Sequence, residues 1–113
     1  MKSPAYAAMT PRSIEALKML GKRLKKARLR RNESQAMIAK RTCTTRGTQQ
    51  RLENGHPGVT LGVLLNTLYV YGLLDDFKEI ANSDKDVVGK ALEANRLPKR
   101  ARHKKNEEFN SDF

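Results

Sequence analysis

The stretch from Ser34 to Gly55, SQAMIAKRTCTTRGTQQRLENG, constrains the fold of this 113-residue chain more than any other. Ser34 is of a type that accepts a hydrogen bond from a free backbone N–H at a helix start, and residues 35–39 continue that helix. The cluster Thr42-Cys43-Thr44-Thr45 interrupts it, because short hydroxyl side chains compete for local backbone groups. Thr45 can then cap a second helix. The pattern predicts two short helices joined by a tight turn.

The outer side of the second helix carries groups suited to nucleic acid. Arg and Gln have forked donors and acceptors that match guanine and adenine edges in the major groove of DNA. Side chains of this kind, with a threonine, recur here: Arg46, Thr48, Gln50 and Arg51. We therefore predict a helix-turn-helix that binds double-stranded DNA.

A gapless spacing pattern runs through the same segment: Gln35, Ile38-Ala39, Thr45, Arg51-Leu52 and Glu53-Asn54-Gly55. On these residues the chain resembles the Cro/CI repressor family, also called the XRE family of helix-turn-helix regulators. The resemblance covers roughly residues 14–74 and places Arg28 where the family often has an arginine that pairs with the glutamate equivalent to Glu53. It implies an all-α fold, a compact bundle of five to six helices like the lambda repressor DNA-binding domain.

The resemblance also implies roles for individual side chains. Gln35 would position the first motif helix on the DNA backbone, and Asn54 would do so at the end of the second. Arg46 and Arg51 would contact base edges or phosphates, and Gly47 would allow close approach. The predicted DNA-binding set is Gln35, Thr45, Arg46, Gly47, Thr48, Gln50, Arg51 and Asn54.

Three residues depart from the family pattern. Cys43 stands at a turn position usually held by glycine, which suits a left-handed backbone. Gln49 occupies a position that is usually apolar and buried, and Glu33 replaces a common leucine. We expect these departures to loosen the motif or to shift its helices slightly.

Positive charge is concentrated on the part of the chain that carries the motif. The net charge is +11, and residues 10–58 hold 13 Lys and Arg against three Glu. Residues 75–93 hold six acidic and three basic residues, so their balance is −3. Such a distribution is expected of a protein that faces phosphates.

Other functional classes receive little support from the composition. The single cysteine fits a reducing cytosol, and no apolar run reaches the roughly 20 residues that span a bilayer. His56 and His103 lie far apart, without a ligand cluster at metal spacing. No nucleophile–base pair stands out. We therefore expect a cytoplasmic protein that is not an enzyme and has no cofactor or metal.

The rest of the chain divides by pattern into a flexible N-terminus at 1–9, the DNA-binding domain at 10–81, a C-terminal helix at 82–95 and a tail at 96–113. The tail is basic and then acidic, and we predict that it is disordered.

Thr10 with Pro11 predicts the start of the first helix, and Asn32 predicts a left-handed stop at its end. The apolar stripe of this first helix consists of Ile14, Leu17, Leu20, Leu24 and Ala27. This stripe favours a core helix over a membrane-surface helix.

A further helix is predicted between Thr60, as its cap, and Gly72, as its end. Its predicted inward stripe is Leu61, Leu64, Leu65, Leu68 and Tyr71. Val63, Val70 and Leu74 lie off this stripe, which indicates either a wide core face or a dimer contact.

A narrower resemblance rests on three segments: Gly58-Val59-Thr60-Leu61-Gly62, Gly72-Leu73-Leu74 and Leu97-Pro98-Lys99-Arg100-Ala101-Arg102. They are similar to HipB-like antitoxins, which are encoded beside HipA-like serine/threonine kinases. The resemblance implies a homodimeric repressor of its own operon that binds a HipA-like kinase toxin. Two alternatives stay open: a phage-like or housekeeping repressor without a toxin, and a protein-interaction inhibitor with only weak DNA binding.

Overall fold

A computed structural model of the protein describes residues 7–96. Residues 1–6 of the predicted flexible N-terminus (1–9) lie outside the described residues. So do residues 97–113 of the predicted tail (96–113), which include the segment 97–102. Between residues 11 and 96 the chain forms six α-helices: α1 (Pro11–Arg30), α2 (Gln35–Arg41), α3 (Arg46–Glu53), α4 (Leu61–Tyr71), α5 (Leu74–Lys78) and α6 (Val87–Arg96). Ser83–Lys85 form a 3-10 turn, and residues 7–96 contain no β-strand. The predicted all-α helical bundle is confirmed.

The chain clusters into two units, one ending at Phe77 and one beginning at Lys78. The first unit holds the helix-turn-helix segment, and the second holds α6. The predicted domain division between residues 81 and 82 stays a prediction.

Helix α1 begins and ends where local chemistry predicts. The Thr10 side chain accepts a hydrogen bond from the backbone N–H of Ser13 at 3.1 Å, and Pro11 occupies the first turn, where its missing N–H costs nothing. Asn32 adopts a φ of 55° just beyond the helix. Asparagine tolerates this left-handed conformation better than most residues, so the chain can turn towards α2.

The core of the first unit is assembled from one face each of α1, α2, α3 and α4. Its buried residues are Leu24, Ala27, Ile38, Leu52, Leu68 and Tyr71. Partly buried residues pack around them: Leu20, Val59, Val63, Leu64, Val70, Leu73, Leu74 and Phe77. Leu20, Leu24 and Ala27 of the α1 stripe therefore lie in the core, whereas Ile14 and Leu17 are half-buried outside this cluster. Val63, Val70 and Leu74 belong to a wide core face, the first of the two interpretations of the sequence.

Helix α4 is capped at both ends. Thr60 accepts from the N–H of Val63 at 3.3 Å, and Gly72 ends the helix with a φ of 77°. The Arg31 guanidinium donates to the Tyr71 carbonyl at 2.7 Å, which places a cation at the negative end of the helix.

The prediction that Leu61 belongs to the buried stripe of α4 is wrong, because its side chain is 65% exposed. It lies in the first turn of α4, at the margin of the core, where periodicity alone does not guarantee a packing partner.

The second unit contains little buried surface in its described part. The Asn82 side chain accepts from the N–H of Asp84 at 2.9 Å to start the 3-10 turn, and Asp86 accepts from the N–H of Gly89 at 2.9 Å at the start of α6. The larger apolar side chains of α6 are exposed: Val87, Val88 and Leu92. The predicted last helix is therefore present, and it extends to Arg96.

Candidate nucleic-acid interface

Helices α2 and α3 pack against each other across a four-residue turn. Ser34 caps α2 by accepting from the N–H of Met37 at 3.1 Å, as predicted. In the turn, the N–H of Thr44 donates to the Ala39 carbonyl at 2.8 Å, and Cys43 has a φ of 56°. The cysteine thus adopts the left-handed backbone that glycine usually provides at this position.

The accessible side of α3 carries most of the predicted DNA-binding residues. Thr45 caps α3 by accepting from the N–H of Thr48 at 3.1 Å. The exposed residues are Thr45, Arg46, Gln50, Arg51 and Asn54, and Gly47 and Thr48 are half-buried. The opposite side is buried and consists of Gln49, Leu52 and Glu53. Helix α3 therefore presents a polar face with two arginines to solvent while its other face is held by the domain.

Hydrogen bonds along this face order part of it before any ligand binds. The Arg51 guanidinium donates to the Thr48 hydroxyl at 3.2 Å, and the hydroxyls of Thr48 and Thr45 lie 3.0 Å apart. A methyl group at Gly47 would lie 3.6 Å from Arg51 Nη1, an ordinary van der Waals contact. The absence of a side chain at Gly47 therefore leaves open surface and is not required for packing within the described structure.

Gln35 lies at the start of α2 and meets the end of α3. Its side-chain amide donates to Glu53 Oε1 at 3.0 Å, and the residue is half-buried. One N–H of the amide is therefore engaged within the protein. A contact from Gln35 to the DNA backbone stays a prediction, and it would use the remaining N–H of the same amide.

The predicted pairing of Arg28 with Glu53 is confirmed. Arg28 Nε donates to Glu53 Oε2 at 2.7 Å and Nη2 donates to Oε1 at 3.1 Å, a bidentate pair. The side chains are only 9% and 3% exposed. The hydrogen bond to Glu53 raises the pKa of Arg28 further above its usual range, so the guanidinium stays charged. Arg28 Nη1 also donates to the Glu33 carbonyl at 2.9 Å, so one guanidinium joins α1, the start of α2 and the end of α3.

Two glycines let the end of α3 lie directly on α1. A Cβ at Gly21 would collide with the Glu53 carbonyl oxygen and would lie 2.9 Å from the Leu52 carbonyl oxygen. Gly55 has a φ of 74°, and a Cβ there would lie 2.8 Å from the Cα of Lys18. Helix α3 is thereby seated on α1 through backbone contact. The Gly55 position was visible in the sequence pattern, whereas the demand on Gly21 depends on a contact that the sequence does not show.

Gln49 is buried inside the domain. It is 1% exposed, and its amide nitrogen lies within hydrogen-bonding distance of three hydroxyls, at 3.2 Å from Thr42, 3.4 Å from Thr44 and 3.1 Å from Thr67. The amide nitrogen of this glutamine therefore meets hydroxyl partners inside the domain. The expectation that the three departures loosen the motif or shift its helices slightly stays a prediction. The threonines of the turn could have indicated hydrogen-bond partners for Gln49, but the partner Thr67 is 18 residues away in the sequence.

One carboxylate oxygen of Glu33 has a partner, and the other, Oε1, is buried without a hydrogen bond within residues 7–96. Its carboxylate forms an ion pair with Arg41 at the end of α2. Arg41 is half exposed, so this pair contributes little free energy to stability.

The comparisons with known proteins agree with this geometry. A family described as a helix-turn-helix domain matches residues 19–78, more than half of the chain. The chain belongs to this helix-turn-helix family. The match supports a DNA-binding regulator of the XRE type. Comparisons with curated proteins and with solved structures gave no significant match. Within residues 7–96, no helix has the length and apolar character needed to cross a membrane.

Proposed function

We propose that this helix-turn-helix protein is a sequence-specific transcriptional repressor that binds an operator in its own promoter. The observation that best supports this proposal is that the two faces of α3 differ. Its solvent side presents Arg46, Gln50 and Arg51, while its other side is fixed by the Arg28–Glu53 pair. A helix held from behind, with forked polar side chains in front, suits insertion into the major groove.

The two arginines have different surroundings within the described structure. Arg46 lies in the first turn of α3 and is exposed, and its guanidinium has no hydrogen bond or ion pair within residues 7–96. Arg51 is tied to Thr48. The first turn of a recognition helix lies nearest to base edges, so we assign Arg46 the reading of a guanine and Arg51 a base or phosphate contact.

The repressor would act as a homodimer. Two copies would place their α3 helices in successive major grooves about 34 Å apart, on an operator with matching two-fold symmetry. A single short recognition helix contacts few bases, and doubling the contacts raises sequence preference.

The first experiment measures the Kd of the purified protein for its own upstream DNA and for a shuffled fragment, over a series of salt concentrations. A preference of at least roughly a thousandfold at physiological salt would indicate specific recognition. Similar, steeply salt-dependent binding to both DNAs would mean that the +11 charge attracts phosphates without base recognition. That outcome would favour a protein-interaction inhibitor instead.

A matched pair of variants separates charge from base contact. Arg46→Ala and Arg23→Ala remove the same charge from exposed positions, but Arg23 lies on the side of α1 away from Gly21 and therefore away from α3. We expect Arg46→Ala to lower the operator preference at one base pair and Arg23→Ala to leave it unchanged. Equal effects of the two variants would contradict the assignment of Arg46 as a base contact.

The sequence similarity to HipB-like regulators supports the narrower proposal that the protein is an antitoxin. In that case it binds a HipA-like kinase toxin encoded beside it, acts in the cytoplasm and catalyses no reaction itself. A kinase-like neighbouring reading frame and a stable complex of the two purified proteins would support this proposal. Operator binding without such a neighbour would favour a phage-like or housekeeping repressor.

A further inference from the structure

A cluster of four polar side chains lies behind the recognition helix, at a position where helix-turn-helix proteins usually bury an apolar residue. Gln49, in the middle of α3, is 1% exposed, and Thr67, in the middle of α4, is also 1% exposed. Thr42 is buried at the end of α2, and Thr44 is half-buried in the turn. We call these four residues the glutamine–threonine cluster. It connects α2, the turn, α3 and α4.

The hydrogen bonds of the cluster fix the orientation of the Gln49 amide. The Thr42 hydroxyl donates to the Ile38 carbonyl at 2.8 Å, and the Thr67 hydroxyl donates to the Val63 carbonyl at 2.8 Å. Each hydroxyl has one proton, so both oxygens must accept from Gln49, and only the amide nitrogen can donate to them. The nitrogen therefore faces the threonines, and its two protons are directed to α2 and α4.

The same orientation leaves one atom of the cluster without a partner. Gln49 Oε1 is buried and has no hydrogen bond within residues 7–96. An apolar side chain of similar size would avoid this unpaired oxygen and would pack in the same space. Because the threonine hydroxyls keep their helix carbonyls as acceptors, such a residue would leave no donor unpaired either. Stability alone therefore does not explain why a glutamine stands at this position.

Apolar contacts allow α3 to rotate slightly about its own axis, a motion called roll here. Hydrogen bonds are directional and therefore restrict this roll. Gln49 is 1% exposed while the next two residues, Gln50 and Arg51, are exposed, so its side chain points into the domain and away from solvent. A roll of about 10° moves a side-chain tip some 6 Å from the helix axis by about 1 Å. Such a shift takes a base contact outside the hydrogen-bonding range of about 2.7–3.2 Å.

We propose that Gln49 is a positioning residue that sets the roll of the recognition helix through Thr42 and Thr67, and so determines operator preference without touching DNA. This inference rests on the proposed function, because it concerns how the same face reads bases. In some proteins a buried polar group selects one arrangement over alternatives without adding to the stability of the folded state.

The test compares Gln49→Leu with Leu52→Met, a volume-conserving change of a buried residue on the same helix. We expect Gln49→Leu to unfold at no lower urea concentration than the wild type but to lose at least about tenfold in operator preference, the value of one good base contact. Its binding to shuffled DNA and the salt dependence of that binding should not change. Leu52→Met should keep the preference. A Gln49→Leu variant that keeps the preference within about twofold would overturn the proposal.

A second pair tests the cluster from a helix that carries none of the predicted DNA contacts. Thr67→Ser keeps the hydroxyl, and Thr67→Val keeps the shape but removes the acceptor for Gln49. We expect the operator preference to fall in the valine variant and to persist in the serine variant. Equal preferences in the two variants would contradict the proposal. This pair decides the question if Gln49→Leu does not fold.

Hydrogen exchange separates failure of this inference from failure of the proposed function. We expect amides of α3 to exchange faster in Gln49→Leu than in the wild type, at unchanged or higher global stability. Unchanged exchange would overturn the positioning role. If wild-type protein shows no operator preference, the proposed function fails, and the exchange measurement still shows whether the cluster holds α3.

Discussion

Replacing Glu53 alone should destabilise the first unit far more than replacing Glu53 and Arg28 together. In Glu53→Leu, the guanidinium of Arg28 stays in a site where its side chain is 9% exposed, and only its bond to the Glu33 carbonyl remains. A buried charge without a counter-charge is costly, whereas a buried pair contributes little net stability beyond well-packed apolar residues. The double variant Arg28→Met with Glu53→Leu removes both charges.

The expected magnitudes follow from the burial of the pair. Loss of one partner of a buried ion pair costs about 3–5 kcal/mol, while replacement of both is neutral or stabilises by about 1–4 kcal/mol. A folded unit of this size has a total free energy of unfolding of about 4–10 kcal/mol. Glu53→Leu should therefore remove much or all of the stability, and the double variant should restore most of it. Gln35 loses its acceptor in both variants, but it is half-buried and can bind water instead.

Urea unfolding followed by circular dichroism gives the free energy of unfolding of the wild type, both single variants and the double variant. The matched control is Glu33→Gln, which breaks the Glu33–Arg41 ion pair and leaves behind an arginine whose side chain is 49% exposed and can be hydrated. We expect this change to cost no more than about 1 kcal/mol. If the two single variants each cost under about 1 kcal/mol, or if their effects add in the double variant, the reasoning from burial is refuted.

Three further predictions concern single residues. Gly21→Ala should destabilise the protein by about 1–3 kcal/mol in urea unfolding, because its Cβ would lie 2.8 Å from the Glu53 carbonyl carbon; a more stable variant would mean that helix propensity outweighs this contact. Cys43→Gly should stabilise by up to about 1 kcal/mol, since Cys43 has a φ of 56°, and a lower urea midpoint would contradict this. Burial raises the pKa of Tyr71 to about 12, with Glu53 adding to the effect, so the folded state should lose stability as the pH rises from about 10, where unfolded tyrosine ionises, towards 12. Tyr71→Phe should remove this alkaline loss of stability, measured as the urea midpoint at each pH, and an unchanged pH profile would argue against the role of Tyr71. Because the Tyr71 hydroxyl has no partner within residues 7–96, the same variant should be more stable by about 1 kcal/mol at neutral pH.

Much of the fold follows from short-range chemistry, and this part could be predicted. Ser34, Thr45 and Thr60 each accept a bond from the backbone N–H three residues ahead, so the cap and its partner are neighbours in the sequence. The left-handed stops at Asn32 and Gly72 are equally local. The Arg28–Glu53 pair is long-range, but the family resemblance supplied it.

The face of α3 that meets solvent was also predictable, because helical periodicity assigns residues to opposite sides. Which of these residues contact bases stays a prediction, since that depends on DNA geometry and on the exact position of the helix.

Only the tertiary structure decided what lies behind that face. Gln49 lies 18 residues from Thr67 in the sequence, so its burial among hydroxyls could not be read from its immediate neighbours. Periodicity likewise assigned Leu61 to the core, although the first turn of α4 lies at the core margin. The sequence analysis assigned no role to Gly21, because the close approach of the Glu53 backbone comes from a segment about 30 residues away. Each case depends on where a distant segment packs, because burial and hydrogen-bond satisfaction are set by all neighbours in space and the sequence displays only neighbours along the chain.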